Sequence, residues 1–323
     1  MGGGLSPAVA TVRQAVRESL AGFPRGGLVL AACSGGPDSL ALAAALAFTA
    51  PRAGLRAGAV TVDHGLQDGS AGRAASVASV LGDLGLDPVQ VRTVTVDGRG
   101  GPEAAARSAR YGALEKAVAD LGATAVLLGH TLDDQAETVL LGLARGSGAR
   151  SLAGMAQRRG VFLRPLLGVR RDVTAAACAA LGLTPWADPH NADRRFSRVR
   201  VRLDALPALE AALGPGVAEA LARTADQLRD DADVLDTIAE DERSRAASPL
   251  SAASLAGLPD ALRTRIVRSA ALAAGCPAGA LTAGHVARIS ELATNWHGQR
   301  WIDLPGGVRV CRRSGQIIFE TVE

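Results

Sequence analysis

One short string in this chain has residue types and spacing suited to phosphate chemistry: Ser34-Gly35-Gly36-Pro37-Asp38-Ser39. It follows an apolar run, Leu28 to Cys33, and precedes another, Leu40 to Phe48. That order reads as a buried strand, a glycine turn and the start of a helix. Such a junction aims backbone N–H groups and the positive end of a helix dipole at one point, which suits a phosphate. Two adjacent glycines let an anion approach the backbone with no Cβ in the way. Asp38 is the odd member, because a carboxylate repels bound phosphates. It fits if a divalent cation with hard oxygen ligands lies between them. The competing reading is an aspartate that caps an ordinary helix.

The surrounding segments say how such a turn would be positioned. Strand-like runs at Leu28–Cys33, Leu55–Val62, Val89–Val96 and Ala125–Leu128 alternate with helix-like runs at Asp38–Thr49, Gly72–Leu84, Pro102–Leu121 and Asp133–Ala144. Strands apolar throughout and alternating with helices predict an α/β, Rossmann-like parallel sheet covered on both faces. Ligands of such sheets bind at the carboxyl ends of the strands. Three strings fall at that edge: Ser34–Ser39, Asp63-His64-Gly65 and Gly129-His130. Arg145 to Arg150 reads as a flexible connection leaving the core. Beyond it the chain is mostly helical to about Asn295, with three strand-like runs from Arg300 onward.

Bulk properties narrow the class. With 323 residues the chain is expected to hold about two domains. Its 48% hydrophobic and 21% charged content marks a soluble globular protein. Apolar runs stop short of the ~20 residues that span a bilayer, so no membrane association is expected. No secretory signal is visible, and the four cysteines never form Cys-x-x-Cys, which predicts a cytoplasmic protein with reduced thiols. Charge is uneven. Leu141 to Arg202 carries 12 arginines against 3 aspartates, a plausible footprint for nucleic-acid phosphates, whereas Leu203 to Asp260 carries 12 acidic residues against 4 arginines. The single lysine, Lys116, is far from the glycine turn, which excludes a Walker A loop. A Gly-x-Gly-x-x-Gly fingerprint and a His-Glu-x-x-His helix are also absent.

With these excluded, Ser34–Ser39 resembles the PP-loop of the ATP pyrophosphatases, which cleave ATP between its α and β phosphates. Within that superfamily the chain resembles the tRNA(Ile)-lysidine synthases over about Leu28 to Pro207. The resemblance rests on Val62-Asp63-His64-Gly65-Leu66, Glu103 to Tyr111 with Arg107 and Arg110, and Gly129-His130-Thr131-Leu132-Asp133-Asp134-Gln135-Ala136-Glu137-Thr138. It continues through Arg145-Gly146-Ser147-Gly148, Arg164-Pro165-Leu166-Leu167, Asp188-Pro189-x-Asn191 and Arg198-x-Arg200-x-Arg202. The length is similar to the family's short form, with one C-terminal domain.

The resemblance implies a PP-loop catalytic domain at residues 1–205 and a mainly helical tRNA-binding domain with a strand-containing tail at 206–323. It implies ATP and Mg²⁺, free L-lysine, and an isoleucine tRNA with a CAU anticodon; a homodimer is left open. The implied reaction adenylates the wobble cytidine at its C2 oxygen, releases pyrophosphate, and then replaces AMP by the lysine side-chain amine. Ser34, Gly35, Gly36, Pro37, Asp38 and Ser39 are the expected ATP-binding residues, with Asp38 and Asp134 on the metal. Asp38, Asp134, His130 and Arg107 are the expected catalytic group. Asp133 is either a site residue or a helix cap, Glu137 either a site ligand or an exposed helix glutamate, and His64 either a ligand or a turn residue. Arg110 is read as scaffold or tRNA contact. Arg195, Arg198 and Arg202, at i, i+3 and i+7, are expected on one helix face against tRNA. Trp186, Tyr111 and Phe196 are the aromatics nearest the motifs that could stack on a base.

Overall fold

A computed structural model describes residues 6–65, 69–95, 102–146, 148–245 and 250–322. Leu66 and Ser147, quoted in the motifs above, and Val96 of the third expected strand lie outside the described residues. The chain forms two compact units that divide between Leu228 and Arg229.

The strands of the first unit are β1 (Leu28–Ala32), β2 (Arg56–Asp63), β3 (Val89–Thr93), β4 (Ala125–Leu128), β5 (Arg158–Arg159) and β6 (Phe162–Leu163). They form one sheet in the order β3-β2-β1-β4-β6-β5. All neighbours are parallel except β5, which runs antiparallel to β6 at one edge. Its helices are α1 (Pro7–Ser19), α2 (Pro37–Arg52), α3 (Ser70–Asp83), α4 (Pro102–Leu121), α5 (Leu132–Ala144), α6 (Ala149–Leu152), α7 (Arg171–Ala180), α8 (Ser197–Arg200) and α9 (Leu206–Leu213), followed by the start of α10 (Val217–Arg245).

The period-2 alternation of a strand explains how the sheet is covered twice. Val29 and Ala31 of β1, with Ala125 and Leu127 of β4, join one core with Val12, Leu42 and Ala177 of the helices. Leu28 and Leu30, with Val126 and Leu128, join the other with Leu114 and Val118 of α4. Each such fully buried leucine contributes about 1.5–3 kcal/mol. Helix α2 is buried almost all round, from Ser39 through Leu46. Its alanines let it sit deep against β1, so the turn that precedes it is held from both sides.

One expectation about organisation changes. Arg145 to Arg150 does not take the chain away from the core, because β6 returns to pair parallel with β4, Val126 opposite Phe162. A two-residue strand carries too little periodicity to be seen in sequence. The first compact unit runs on to Leu228. Leu206, Ala218 and Ala222 pack with Leu132 and Ala136 of α5, which keeps that segment in the first unit.

The second unit holds the remainder of α10, then β7 (Leu250–Ser251), α11 (Ala252–Ala256), α12 (Asp260–Ala273), α13 (Ala283–Thr294), β8 (Ile302–Leu304), β9 (Val308–Arg313) and β10 (Gln316–Thr321). The strands form an antiparallel sheet in the order β7-β10-β9-β8, near the three runs read from the sequence. Its own core includes Ile266, Val267, Ile289, Leu292, Val310 and Ile317. Trp296 and Trp301 are exposed, each beside an arginine, Arg312 and Arg309 respectively.

Candidate active site

The Ser34–Ser39 turn joins β1 to α2 at the carboxyl edge of the sheet. Gly35 has φ +85°, and a Cβ there would meet Val77 Cγ2 at 2.8 Å, so both conformation and space demand glycine. Ser39 is buried and serves the turn itself. Its hydroxyl accepts from the Ser34 N–H at 3.2 Å and donates to the Gly36 carbonyl at 3.0 Å. No side chain caps α2 at Gly36, and Pro37 occupies the first turn. The first amides of the helix therefore face the site without a local side-chain acceptor. Gly129, at the end of β4, lets that strand approach the turn: a Cβ there would sit 3.1 Å from the Asp38 backbone.

Opposite the turn lies an ionic cluster built from α5, α7 and the segment following α8. Thr131 caps α5 in a capping box with Asp134, whose Oδ2 accepts from the Thr131 N–H at 2.9 Å. Asp134 Oδ1 faces Arg171 at 2.9 Å and Arg202 at 3.5 Å. Glu137 is fully buried and receives Arg171 at 3.1 Å, Arg202 at 2.7 Å and Arg198 at 3.4 Å. Asp133 accepts from the Arg171 backbone N–H at 2.8 Å and so caps the start of α7, not of α5. Asp38 reaches the same cluster: Thr174 donates to its Oδ1, and Arg171 Nε lies 3.7 Å from its Oδ2.

The two carboxylates expected to share a metal differ in their electrostatics. Burial pushes the Asp38 carboxyl above the usual range, despite the Thr174 hydrogen bond and Arg171. Burial also pushes Asp134 up, but Arg171, the Thr131 N–H and Arg202 together hold it below the usual range. Burial, with Arg110, Arg164 and Arg107 nearby, lowers His130 to about 3 although Asp134 opposes the shift, so its imidazole is neutral at physiological pH. Its Nδ1 is buried and has no hydrogen-bond partner among the described residues, and the same holds for His64.

All of this surrounds a cavity of about 530 Å³. Its wall includes the turn, His64, Arg107, Arg110, His130 and Asp134, which one loop or helix after each of several strands brings together. Arg198 and Arg202 also line it, and Arg195 does not. The shared face expected for these three arginines does not form. Arg195 precedes α8 and pairs on the surface with Asp193 at 2.6 Å. Val201–Ala205 adopts π-helical geometry, which changes the angular spacing, and Arg198 and Arg202 turn inward to Glu137.

Of the aromatics, Trp186 lines the cavity, with the Arg73 guanidinium 4.2 Å above its ring and its backbone N–H donating to the Gly35 carbonyl at 2.9 Å. Tyr111 is instead committed to Arg107 and Arg164, each 3.2 Å from its hydroxyl, and to the Phe162 ring. Phe196 packs edge-on against His190. Sequence reasoning missed Arg171, Thr174, Arg164 and Arg73. Only Arg164 lay inside a quoted motif. The burial of Glu137 has a local signal, since it falls one turn after Asp133 and Asp134 on the helix that lines the cavity.

The donor set fits a Mg²⁺ ion. Asp38 keeps Oδ2 outside hydrogen-bond range of Arg171, and Asp134 lines the same cavity with its Oδ1 shared with Arg171. Mg²⁺ needs only one or two carboxylates when water and phosphates complete its shell. Among the described residues, no group of three or more His, Cys, Asp or Glu gathers to hold a metal by protein ligands alone.

Comparison with known proteins agrees with this geometry. Residues 9–209 match the PP-loop domain family, and residues 250–318 match the TilS substrate binding domain. A tRNA(Ile)-lysidine synthase of Thermobifida fusca is 62% identical over 318 residues, covering 98% of each chain. That of Streptomyces coelicolor is 57% identical over 94% of this chain and 88% of the relative, and that of Salinispora tropica 54% identical over 97% and 96%. Among solved structures, the U34-tRNA thiolase NcsA of Methanococcus maripaludis, which carries a [4Fe-4S] cluster, aligns with a TM-score of 0.56 at 18% identity, covering 68% of this chain and 79% of that one. That likeness establishes the fold alone. The turn, the cavity and the near-full-length identities together place this chain in the tRNA(Ile)-lysidine synthase family.

Proposed function

We propose that the cavity ligates lysine to C2 of the wobble cytidine of an isoleucine tRNA with a CAU anticodon, using ATP. The observation that carries this reading is the meeting of the Ser34–Ser39 turn with Asp134 and His130 around one cavity large enough for nucleotide chemistry. In the first step the cytosine C2 oxygen attacks the α-phosphorus, and the bond to the β-phosphate oxygen breaks. Charge grows on the departing pyrophosphate, where the amides of the turn and first helical turn of α2 stabilise it. Mg²⁺, held by Asp38 and Asp134, supplies further charge neutralisation when bound.

In the second step the lysine amine forms a bond to C2, and the bond from C2 to the AMP oxygen breaks. The ammonium, with a pKa near ~10.4, must first lose a proton. Ionised Asp134 draws and orients the ammonium. The neutral His130 ring offers its buried, unpartnered Nδ1 as a hydrogen-bond acceptor in the tautomer protonated at the other nitrogen. Arg107, half engaged with Tyr111, holds a phosphate or the base at the cavity wall. Trp186 and Arg73 offer stacking surface to one of the two bases.

Transfer RNA phosphates are met by exposed arginines of the basic block, Arg145, Arg158, Arg159 and Arg195 among them. Arg198 and Arg202 lie behind that surface and hold the cluster. The reaction is a cytoplasmic one, and no helix of the described residues is long and apolar enough to cross a membrane. Mass analysis of nucleosides after incubation of the transcript with ATP, Mg²⁺ and labelled lysine tests the reading. Label must appear in one modified cytidine. A modified cytidine formed equally well with glutamine or ammonia in place of lysine refutes it.

A further inference from the structure

Arg171 and Thr174 belong to no motif read from the sequence, yet they hold both carboxylates on which the proposed chemistry rests. Arg171 Nη2 lies 2.9 Å from Asp134 Oδ1 and 3.1 Å from Glu137 Oε1. Its Nε is 3.7 Å from Asp38 Oδ2, an ionic contact too long for a hydrogen bond. The backbone N–H of the same residue is fixed by Asp133 at 2.8 Å. One guanidinium at the start of α7 therefore bridges the first turns of two other helices, α2 and α5. Without a cation between them, Asp38 and Asp134 would repel at low dielectric.

We infer that Arg171 is a built-in stand-in for the divalent cation: it neutralises Asp38 and Asp134 before metal binds and yields Asp38 when Mg²⁺ arrives with ATP. The inference rests on the proposed function only in taking these two aspartates as the metal's ligands. The contact lengths say which side lets go. Arg171 is anchored to Asp134 and Glu137 by hydrogen bonds and touches Asp38 only at long range. Thr174 makes the exchange cheap. Its single hydroxyl proton has two acceptors in reach, Asp38 Oδ1 and the Arg171 carbonyl at 2.7 Å. When the carboxylate turns to a metal, the hydroxyl keeps a partner in its own helix. A purely structural ion pair has no reason to compete with a metal, and that difference is measurable.

The test is Mn²⁺ binding to the nucleotide-free protein, followed by the EPR signal of free Mn²⁺. Arg171→Gln should bind Mn²⁺ about tenfold or more tightly than wild type, because Asp38 loses its nearest counter-charge and Asp134 keeps only that of Arg202. Arg171→Lys, which keeps the charge, should restore the weaker binding. The double variant Arg171→Gln with Asp38→Asn should lose the gain. Arg171→Gln that is folded by circular dichroism but binds Mn²⁺ no better than wild type overturns the inference, as does Arg171→Lys binding as tightly as Arg171→Gln. If Arg171→Gln does not fold, wild-type protein decides the matter by ¹⁵N NMR. The Arg171 Nε signal must shift on adding Mg²⁺ with α,β-methylene-ATP, and an unmoved signal overturns the inference. Neither measurement uses tRNA or lysine, so a protein that passes both but makes no lysidine refutes the proposed function and leaves this inference standing.

Discussion

The cavity has two walls made in different ways. The Ser34–Ser39 turn is assembled from six consecutive residues, and its hydrogen bonds run between neighbours such as Ser34, Gly36 and Ser39. The opposing cluster joins Asp134 and Glu137 to Arg171, Arg198 and Arg202, partners 34 to 68 residues away in the chain. The turn offers backbone amides, whose direction follows from φ and ψ. The cluster offers side-chain charges, whose positions depend on three helices packing correctly. A wall made of backbone tolerates the loss of a side-chain charge, whereas a wall made of buried ion pairs does not. Asp38 and Glu137 sit on either side of this divide.

The strongest test of the contrast is Asp38→Asn. Pyrophosphate release should fall by about 10³-fold, the scale of losing one preorganised electrostatic contact at the reacting centre. The melting temperature should not fall with it, because burial already disfavours the Asp38 charge. A variant that both unfolds and loses activity would make Asp38 a structural member of the cluster. Glu137→Gln should do the reverse and cost about 3 kcal/mol of stability, since a fully buried carboxylate that pairs with three arginines is neutralised. Urea unfolding with an unchanged midpoint would remove the cluster's structural role.

His130 belongs to the helix-and-charge wall and should show itself through pH. Its folded value of about 3 lies below the unfolded value of about 6.5. The unfolded chain therefore binds the extra proton between those limits. The contribution is complete above the unfolded value and is lost as pH falls toward the folded one. In His130→Asn, the slope of stability against pH between roughly 4 and 6 should drop by about 1.4 kcal/mol per pH unit. An identical acid limb in wild type and variant would show that His130 is already protonated in the folded protein. The smallest effect is expected from Arg195→Ala, because Arg195 is exposed and its ion pair with Asp193 lies on the surface. Stability should stay within about 0.5 kcal/mol. The salt dependence of tRNA binding should lose about 0.9 from its log–log slope if Arg195 meets one phosphate. An unchanged slope would move the RNA contact elsewhere in the basic block.

Much of the fold was legible because it rests on local signals. The four parallel strands β1 to β4 announced themselves as strand-like runs, and α2, α4 and α5 as helix-like runs between them. The two-residue strands β5 and β6 did not, because periodicity needs more residues than they contain. In the site, Asp134 and His130 came from one contiguous string. The roles of its acids were not separable there. Asp134, not Asp133, completes the capping box of α5, and Glu137 is not an exposed helix residue but its most buried acid.

By itself the sequence determined the phosphate turn, the parallel sheet and the family resemblance, since each depends on residues adjacent or one element apart. Only the tertiary structure decided what Arg171, Arg198 and Arg202 do. Read along the chain they belong to a basic block that suggests RNA; folded, they pair directly with Asp134 and Glu137. The reason is physical. An arginine's charge is a property of its residue type, but the partner that neutralises it is set by distance in space. A long flexible side chain near a helix end can reach water or the core with equal ease. Packing of α5 against α8 and the π-helical segment makes that choice, and no spacing in the sequence records it.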